Sequence, residues 1–411
     1  MPMEPLLKKG FGLGGRIDRA LAETVAPSFA GGTDEFWMEQ ALLESMAGVG
    51  IAAPNPAVGC ILVENDREIG RGHTQAWRKE HAERMAFEQR DRAADLSRVT
   101  AYVTLEPCSH QGHQPPCVDL LVNSPVPKIV IATRDPDPRV NGEGIRRLRE
   151  AGKEVVSGVL ENECRAWHFP FLRNRTTGRP VWIAKWAETP AGFLADASGH
   201  SKWISNESSR AYTHWLRQKY DAIVVGAGTF LADHPRLTVR DCAPPHHRNP
   251  ERWVFDPKGR LLCAPKGRLL NPSSALAGFK IAVCESVLKN HPSPISAEWV
   301  SIPSAIDSPD LWRRFCEGVA SASRPVPLQS VMVEGGASLL RGLFQEGLID
   351  GVHRFTGQKE FVTHSAMRNE TQGETQNASK HQIPEAIGTG WTLQSHQELR
   401  GDILREWTKT G

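Results

Sequence analysis

Apolar positions in this chain come in short, patterned groups separated by polar turns. Phe36, Trp37, Ala41, Leu42 and Met46 fall at helical spacing behind Asp34, which can cap a helix, so the pattern predicts a helix over 36–46. Val58–Val63 predicts a strand, Glu64–Arg67 a turn, and Glu68–Arg71 a second strand. Helices are predicted at 81–92, 117–123 and 144–151, the last closed by Gly152, with strands at Tyr102–Leu105, Lys128–Thr133 and Val155–Leu160. Strands alternating with helices predict a layered α/β domain. Residues 1–33 are rich in glycine without sustained periodicity and read as a loosely ordered leader, with one short helix near Ile17–Val25.

The turn-rich run Arg173–Pro180 is the expected boundary between a domain at 34–176 and another at 177–411. Beyond it, strands are predicted at Val181–Ala187, Ala222–Val225, Arg252–Phe255, Ile281–Cys284 and Val331–Glu334. A helix at Ser205–Lys219 has Ser205 or Asn206 as its cap, and another at Ala337–Glu346 is closed by Gly347. Within 363–382 only Ala366, Met367 and Ala378 are apolar, too few to offset the entropy of ordering, so a mobile loop is expected there.

Composition narrows the class. At 411 residues the chain has room for two to three domains of about 150 residues. Its longest apolar runs, such as Ile129–Ala132, fall far short of the roughly 18 residues of a membrane helix. No signal peptide is legible in 1–33, so a cytoplasmic protein is expected. A net charge of +2 lacks the basic field that nucleic-acid binding needs. Eight scattered cysteines in such a chain argue against a disulfide framework.

Two of those cysteines have chemical company. His81-Ala82-Glu83 is followed by Glu106-Pro107-Cys108 and then Pro115-Pro116-Cys117. One imidazole and two thiolates leave the fourth position of a zinc ion open for water, as catalysis requires. Glu83 is then the candidate proton carrier between that water and a departing amine. Residues two apart point about 200° apart on a helix, so His81 and Glu83 can converge only at a helix's opening turn. Pro107-Cys108, just past a strand, puts a thiolate where helix-terminal N–H groups can stabilise it. The general zinc-deaminase pattern is H-x-E with P-C-x-x-C, whereas eight residues separate these cysteines. A structural zinc using His110 or His113 as a fourth ligand is the alternative, and it leaves Glu83 without a purpose. The remaining cysteines read as packing residues.

Farther on, Val333-Glu334-Gly335-Gly336-Ala337 joins a predicted strand to a helix through two glycines. Such a turn suits a dinucleotide pyrophosphate, although tight geometry alone explains it as well. Val225-Gly226-Ala227-Gly228-Thr229 departs from the dinucleotide fingerprint, with Leu231 where the third glycine would stand.

Together these motifs resemble the bifunctional riboflavin-biosynthesis deaminase/reductase family. The deaminase half is carried by Pro54-Asn55-Pro56, Val58-Gly59, His81-Ala82-Glu83, Thr104–His110, Gly112, Pro115-Pro116-Cys117 and Asp135–Pro138. The reductase half is carried by Gly199–Ile204, Leu216-Arg217, Asp221–Gly226, Gly228-Thr229, Leu231–Asp233, Pro235, Leu237–Arg240 and Val333–Gly336. The resemblance implies an N-terminal cytidine-deaminase-like α/β/α domain and a C-terminal dihydrofolate-reductase-like α/β domain. It implies Zn²⁺ and NADPH as cofactors and small-molecule pyrimidine ribosyl phosphates as substrates. A diaminopyrimidinone bearing a ribosylamino 5′-phosphate would be deaminated, and its ribosyl group then reduced to ribityl.

The same resemblance assigns residues. His81, Cys108 and Cys117 would hold the metal, with Glu83 catalytic, and Asn55, His73 and His110 would line the pyrimidine pocket. Ala187, Thr229, Asp233, Gly335 and Gly336 would meet NADPH. Ser201, Trp203, Arg217, Leu237, Arg240 and Glu334 would meet the ribosyl phosphate, and Asp233 would also act catalytically.

Departures are visible too. His113-Gln114 replaces a cation and threonine, Thr189–Ala195 lacks the family's Asp and Lys, His234 replaces an Asp, and the polar stretch 357–390 stands in place of the last strands. A deaminase with a degenerate reductase-like domain is therefore one alternative. A nucleic-acid-modifying zinc deaminase and a non-catalytic zinc-stabilised interaction protein are others. No nucleic-acid or membrane partner is expected, and a homo-oligomer is left open.

Overall fold

The computed structural model describes residues 29–196, 204–240, 249–262, 276–290, 297–322, 326–358, 387 and 389–409. The Ile17–Val25 helix, Ser201, Trp203 and the 363–382 loop lie outside the described residues. The chain divides into two compact units, the first running to Arg179 and the second opening at Pro180.

In the first unit, helix α1 spans Asp34–Ser45. Its cap is Thr33, whose hydroxyl accepts from the Phe36 N–H at 3.2 Å, one residue before the expected Asp34. Asp34 pairs instead with Lys128 at 3.1 Å and accepts from the Tyr102 hydroxyl at 2.8 Å. Strands β1 (Gly59–Glu64) and β2 (Arg67–His73) form a hairpin, followed by α2 (Ala82–Gln89) and β3 (Val99–Leu105). Next come α3 (Cys117–Val122), β4 (Lys128–Thr133), α4 (Glu143–Glu150) and β5 (Glu154–Ser157). The five-stranded sheet runs β2-β1-β3-β4-β5, with β3, β4 and β5 parallel. Cys60, Leu62, Ala101, Val103, Ile129 and Ile131 fill its core against Val118, Leu121 and Leu148. At Gly72 an added Cβ would lie 2.4 Å from the Ala82 carbonyl oxygen, so only glycine lets α2 lie this close to β2.

The predicted strand to Leu160 ends at Ser157, because Gly158 turns the chain at φ 95°. Helices α5 (Glu161–Trp167) and α6 (Phe169–Thr177) follow. Helix α6 corrects the expectation of an irregular linker from Arg173. Its polar end is helical because Phe171 and Leu172, each 7% exposed, pack into the first unit's core. Gly178, at φ 69°, stops it.

The second unit begins with β6 (Val181–Glu188), α7 (Glu207–Lys219), β7 (Ala222–Gly226) and α8 (Ala227–Asp233). Asn206 caps α7 by accepting from the Ser209 N–H at 3.0 Å. Strand β8 (Glu251–Phe255), β9 (Phe279–Cys284), α9 (Glu285–Asn290), β10 (Glu298–Ile302), α10 (Leu311–Ser321), β11 (Ser330–Val333), α11 (Ala337–Gln345) and β12 (Gly351–Thr356) complete the parallel part. Two further strands, β13 (Trp391–Leu399) and β14 (Asp402–Lys409), extend it antiparallel. The sheet order is β10-β9-β8-β7-β11-β6-β12-β14-β13. The polar stretch 357–390 therefore does not stand in place of the last strands; they follow it. No helix among the described residues is long and apolar enough to cross a membrane.

Candidate active sites

In the first unit, the ends of three elements converge. His81 is the cap residue of α2, placing Glu83 in that helix's first turn as the two-residue spacing demands. Cys108 lies three residues past β3, and Cys117 is the first residue of α3. His81 Nδ1 lies 3.6 Å from Cys108 Sγ and 3.5 Å from Cys117 Sγ. All three donor atoms fall within 4.8 Å of one another. Bond lengths of about 2.3 Å to sulfur and 2.0–2.1 Å to nitrogen, at a tetrahedral angle, put N and S roughly 3.6 Å apart. The donor set therefore fits zinc in type and in spacing. Among the described residues neither His110 nor His113 joins it, which leaves the structural-zinc alternative without its fourth ligand.

Electrostatics follow from burial and mutual contact. A hydrogen bond from the Cys117 thiol, helped by His81 and opposed by burial, holds the Cys108 thiol down to about 4. The same bond and burial push Cys117 up. Contact with Cys108 raises His81. Glu83, 4% exposed, is raised above the ordinary carboxylate range by burial first and the Cys108 charge second. A carboxyl tuned upward is suited to carrying a proton near neutral pH.

The surrounding residues are held from behind. His73, the last residue of β2, has its Nδ1 2.8 Å from Glu44 Oε1, a carboxylate 9% exposed on α1. Asn55 sits in the turn after the cis Ala53–Pro54 bond, its N–H donating to the Ala52 carbonyl at 2.9 Å. The Trp167 indole N–H anchors that loop by donating to the Ala57 carbonyl at 3.0 Å. His110 Nδ1 is buried with no hydrogen-bond partner among the described residues. Glu106 is buried for a structural purpose: its carboxylate accepts from the N–H groups of Asp135, Gly142 and Ile145, fixing the start of α4. Glu44 and Trp167 carry no sequence motif, and their part emerges only from packing.

In the second unit, the predicted residues gather at the carboxyl ends of the parallel strands. Glu334 directly follows β11, and Arg217 grips it with two bonds of 2.7 and 3.0 Å. Lys185 of β6 stands 3.9 Å from the same carboxylate and 5.3 Å from the Phe355 ring centroid. Burial lowers Lys185 and also works against Glu334, yet Arg217 and Lys185 hold the Glu334 carboxyl down to about 2. Arg217, expected as an open phosphate contact, is thus spent largely on Glu334. Lys185 was not anticipated at all, since a lone lysine inside an apolar strand carries no motif.

The Thr238 carbonyl accepts from Arg217 at 3.1 Å and lies 3.2 Å from His214 Nδ1. Leu237, 2% exposed, holds φ 51°, a left-handed conformation unusual for a bulky residue. Arg240 reaches the Thr238 hydroxyl at 3.5 Å. Ala187 lies in β6 opposite Phe355 of β12. The Gly336 N–H donates to Thr229 Oγ1 at 3.0 Å, tying the β11–α11 turn to α8. A Cβ at Gly335 would meet Leu339 Cδ2 at 2.7 Å, and one at Gly336 would meet that hydroxyl at 3.1 Å. Helix α11 has no side-chain cap, so its first-turn N–H groups suit the pyrophosphate of a dinucleotide. Asp233, the last residue of α8, is exposed and has no hydrogen-bond or ion-pair partner among the described residues.

A three-ligand zinc cradle in one unit and a dinucleotide-type turn on a parallel sheet in the other define a two-domain deaminase–reductase. Residues 32–133 match the cytidine and deoxycytidylate deaminase zinc-binding region, and residues 180–359 match the RibD C-terminal domain. The riboflavin biosynthesis protein RibD of Actinobacillus pleuropneumoniae is 36% identical over 81% of this chain and 85% of its own length. That of Chlamydia muridarum is 37% identical over 79% and 85%. Acinetobacter baumannii RibD superposes with a TM-score of 0.67 at 28% identity, covering 92% of this chain and 99% of that one. A Thermotoga maritima diaminohydroxyphosphoribosylaminopyrimidine deaminase/5-amino-6-(5-phosphoribosylamino)uracil reductase does so at 0.67 and 30% identity, covering 92% and 98%. The chain belongs to the RibD family. It is a bifunctional deaminase and reductase of riboflavin biosynthesis that uses zinc and NADPH.

Proposed function

We propose that residues 34–176 deaminate the diaminopyrimidinone ribosyl phosphate and that residues 177–411 reduce the deaminated product. The convergence of His81, Cys108 and Cys117 at a tetrahedral spacing carries this reading. Zinc held there supplies Lewis acidity that makes water a nucleophile at neutral pH. Glu83 takes the proton from the attacking water and hands it to the departing amine. Asn55, His73 and His110 orient the pyrimidine, and Glu44 fixes the His73 ring.

In the second unit NADPH supplies the hydride that converts the ribosyl carbon to ribityl. Gly335, Gly336, Thr229 and Ala187 frame the cofactor. Glu334, pinned by Arg217 and Lys185, presents a charged acceptor to the ribosyl hydroxyls. Ser201, Trp203, Leu237 and Arg240 complete the ribosyl phosphate site, and Asp233 orients a hydroxyl or manages the accompanying proton. The setting is cytoplasmic, without a nucleic-acid partner. Incubating the protein with the diaminopyrimidinone phosphate and NADPH tests both steps by product mass. Loss of one amino group followed by gain of two hydrogens is expected; recovery of unchanged substrate would overturn the reading.

A further inference from the structure

The β13–β14 hairpin turns through Arg400 and Gly401, at φ 52° and 96°, so that Leu399 pairs directly with Asp402. Positive φ at both turn positions is what a tight two-residue hairpin prefers, and Gly401 takes it without strain. Arg400 pays a steric cost for it, yet the turn is kept. The result is a rim that carries the Leu399 and Arg400 carbonyls beside the Asp402 carboxylate. All three groups engage the start of α7.

Asn206 receives that rim. Its Nδ2 donates to the Leu399 carbonyl at 2.6 Å and to the Arg400 carbonyl at 3.1 Å. Its N–H donates to Asp402 Oδ2 at 2.7 Å, and the Ser209 hydroxyl donates to the same oxygen at 2.7 Å. Its Oδ1 is left to cap α7 through the Ser209 N–H. Serine, threonine or aspartate would cap a helix as well, but only a carboxamide can cap it and also donate twice to a hairpin. Asp402 is 2% exposed and Ser209 is fully buried, so water does not compete for these bonds. The chain just ahead of Asn206 is confined too. A Cβ added at Gly357, past the end of β12, would lie 2.0 Å from the Ile204 carbonyl oxygen. Capping alone needs none of these contacts beyond the Asn206 side chain.

What the contacts fix is the origin of an element that serves the second site. Helix α7 has 13 residues, about 20 Å of length, and its last turn carries Arg217, the partner of Glu334. Ser201 and Trp203 stand five and three residues ahead of Asn206 in the sequence. A slip of one residue at the start of α7 would rotate its far end by about 100° and swing Arg217 away from Glu334. We infer that Asp402 is a positioning residue for the reduction. By fixing the first turn of α7 it sets where Ser201, Trp203 and Arg217 meet the ribosyl phosphate, and it acts through that helix rather than by touching the substrate. The inference rests on the proposed ribosyl phosphate site.

Steady-state reduction of 5-amino-6-(5-phosphoribosylamino)uracil by the full chain tests it. In Asp402→Ala, kcat/KM for this substrate should fall about 10- to 100-fold, as misplacement of binding groups implies. The fall should come mainly through KM, with KM for NADPH and the rate of deamination little changed. A merely structural role would lower the amount of folded enzyme, and hence kcat, without moving KM. Asp402→Asn keeps an oxygen able to accept both bonds and should restore the parent KM. Asn206→Ser keeps a helix cap but loses both donations to the hairpin, so it should reproduce the KM defect and carries the test if Asp402→Ala does not fold. An unchanged KM in the folded Asp402→Ala protein, or in Asn206→Ser where the former does not fold, overturns the role of Asp402. Trp203→Ala and Ser201→Ala separate the two levels. If they raise KM and the Asp402 and Asn206 variants do not, only the positioning role fails; if they leave KM unmoved, the ribosyl phosphate site fails with it.

Discussion

The backbone N–H of Cys117 donates to the sulfur of Cys108 at 3.3 Å. The first residue of α3 therefore both supplies one metal donor and solvates the other. A helix N-terminus carries partial positive charge, so the bond favours the thiolate form needed for metal binding. The Val118 N–H donates to the Cys108 carbonyl at 3.2 Å, holding the two ends of the intervening loop together. The long spacing between the cysteines is thus bridged by two contacts made from the backbone of α3, and replacing the Cys117 side chain leaves both in place.

Cys117→Ser should consequently fold, yet lose zinc and ammonia release together. Metal analysis should find about one zinc per chain in the unmodified protein and little in the variant. Full deamination by a metal-free Cys117→Ser protein would contradict the assignment of this ligand.

Glu83→Gln preserves shape and all three metal donors but cannot carry a proton. Zinc content should stay, and deamination should fall by about 10²-fold or more. Reduction of material already deaminated should continue, because the groups proposed for it belong to the other unit. Equal loss of both activities would argue against two independent sites.

The motif-bearing parts of both sites were legible in the sequence because their chemistry depends on local spacing. His81 and Glu83 had to share a helix's first turn, and they do. The backing residues were not legible, since Glu44 and Lys185 acquire their neighbours only through tertiary packing. Strands β13 and β14 escaped for another reason. Their inward positions include Ser395, Gln397 and Glu406, polar groups where alternation would look for apolar ones. Those groups are paid for by pairing: Glu406 accepts from Ser395 and contacts His353 Nδ1 at 2.6 Å, while the Tyr220 hydroxyl meets His353 Nε2 at 2.5 Å. Hydrogen bonding inside the layer thus replaces the hydrophobic signature.

Removing the charge of Glu334 should show how firmly the second site is held. Glu334→Gln leaves Arg217 and Lys185 buried together without their shared counter-ion. Breaking one side of a buried pair typically costs about 3–5 kcal/mol, so denaturant unfolding should shift by that order. Reduction should fall while deamination persists. A variant as stable as the parent would mean that water, not Glu334, satisfies the two cations.

Stability in mild acid should report on His214. Burial first, then the cations Arg217 and Arg240, hold its imidazole down to about 4, against an ordinary 6.5. Below about 6.5 the unfolded chain gains a proton there that the folded chain refuses until about 4. The unfolded state binds more protons in that window, so stability falls as pH falls through it, by about 3 kcal/mol for this group. His214→Gln should lose less stability than the parent between neutral pH and the bottom of the window, measured by denaturant unfolding. Identical slopes would remove His214 from the account.

Asp233 sets function against stability. It ends α8 with an exposed carboxylate, directly before His234, which turns the chain at φ 44°. A negative charge at a helix C-terminus opposes the helix dipole, so the position gains nothing in stability from being Asp. Asparagine fits the same turn geometry and removes the unfavourable charge. Asp233→Asn should therefore leave folding intact or strengthen it by ~0.3–1 kcal/mol. If the carboxylate manages a proton during reduction, the same change should depress NADPH-dependent turnover by about 10²-fold, with zinc content and deamination untouched. A purely structural turn residue gives the opposite pairing, with full reduction in the Asn variant. Measuring unfolding and NADPH oxidation on one preparation distinguishes the two, and undiminished turnover would leave Asp233 only its place in the turn.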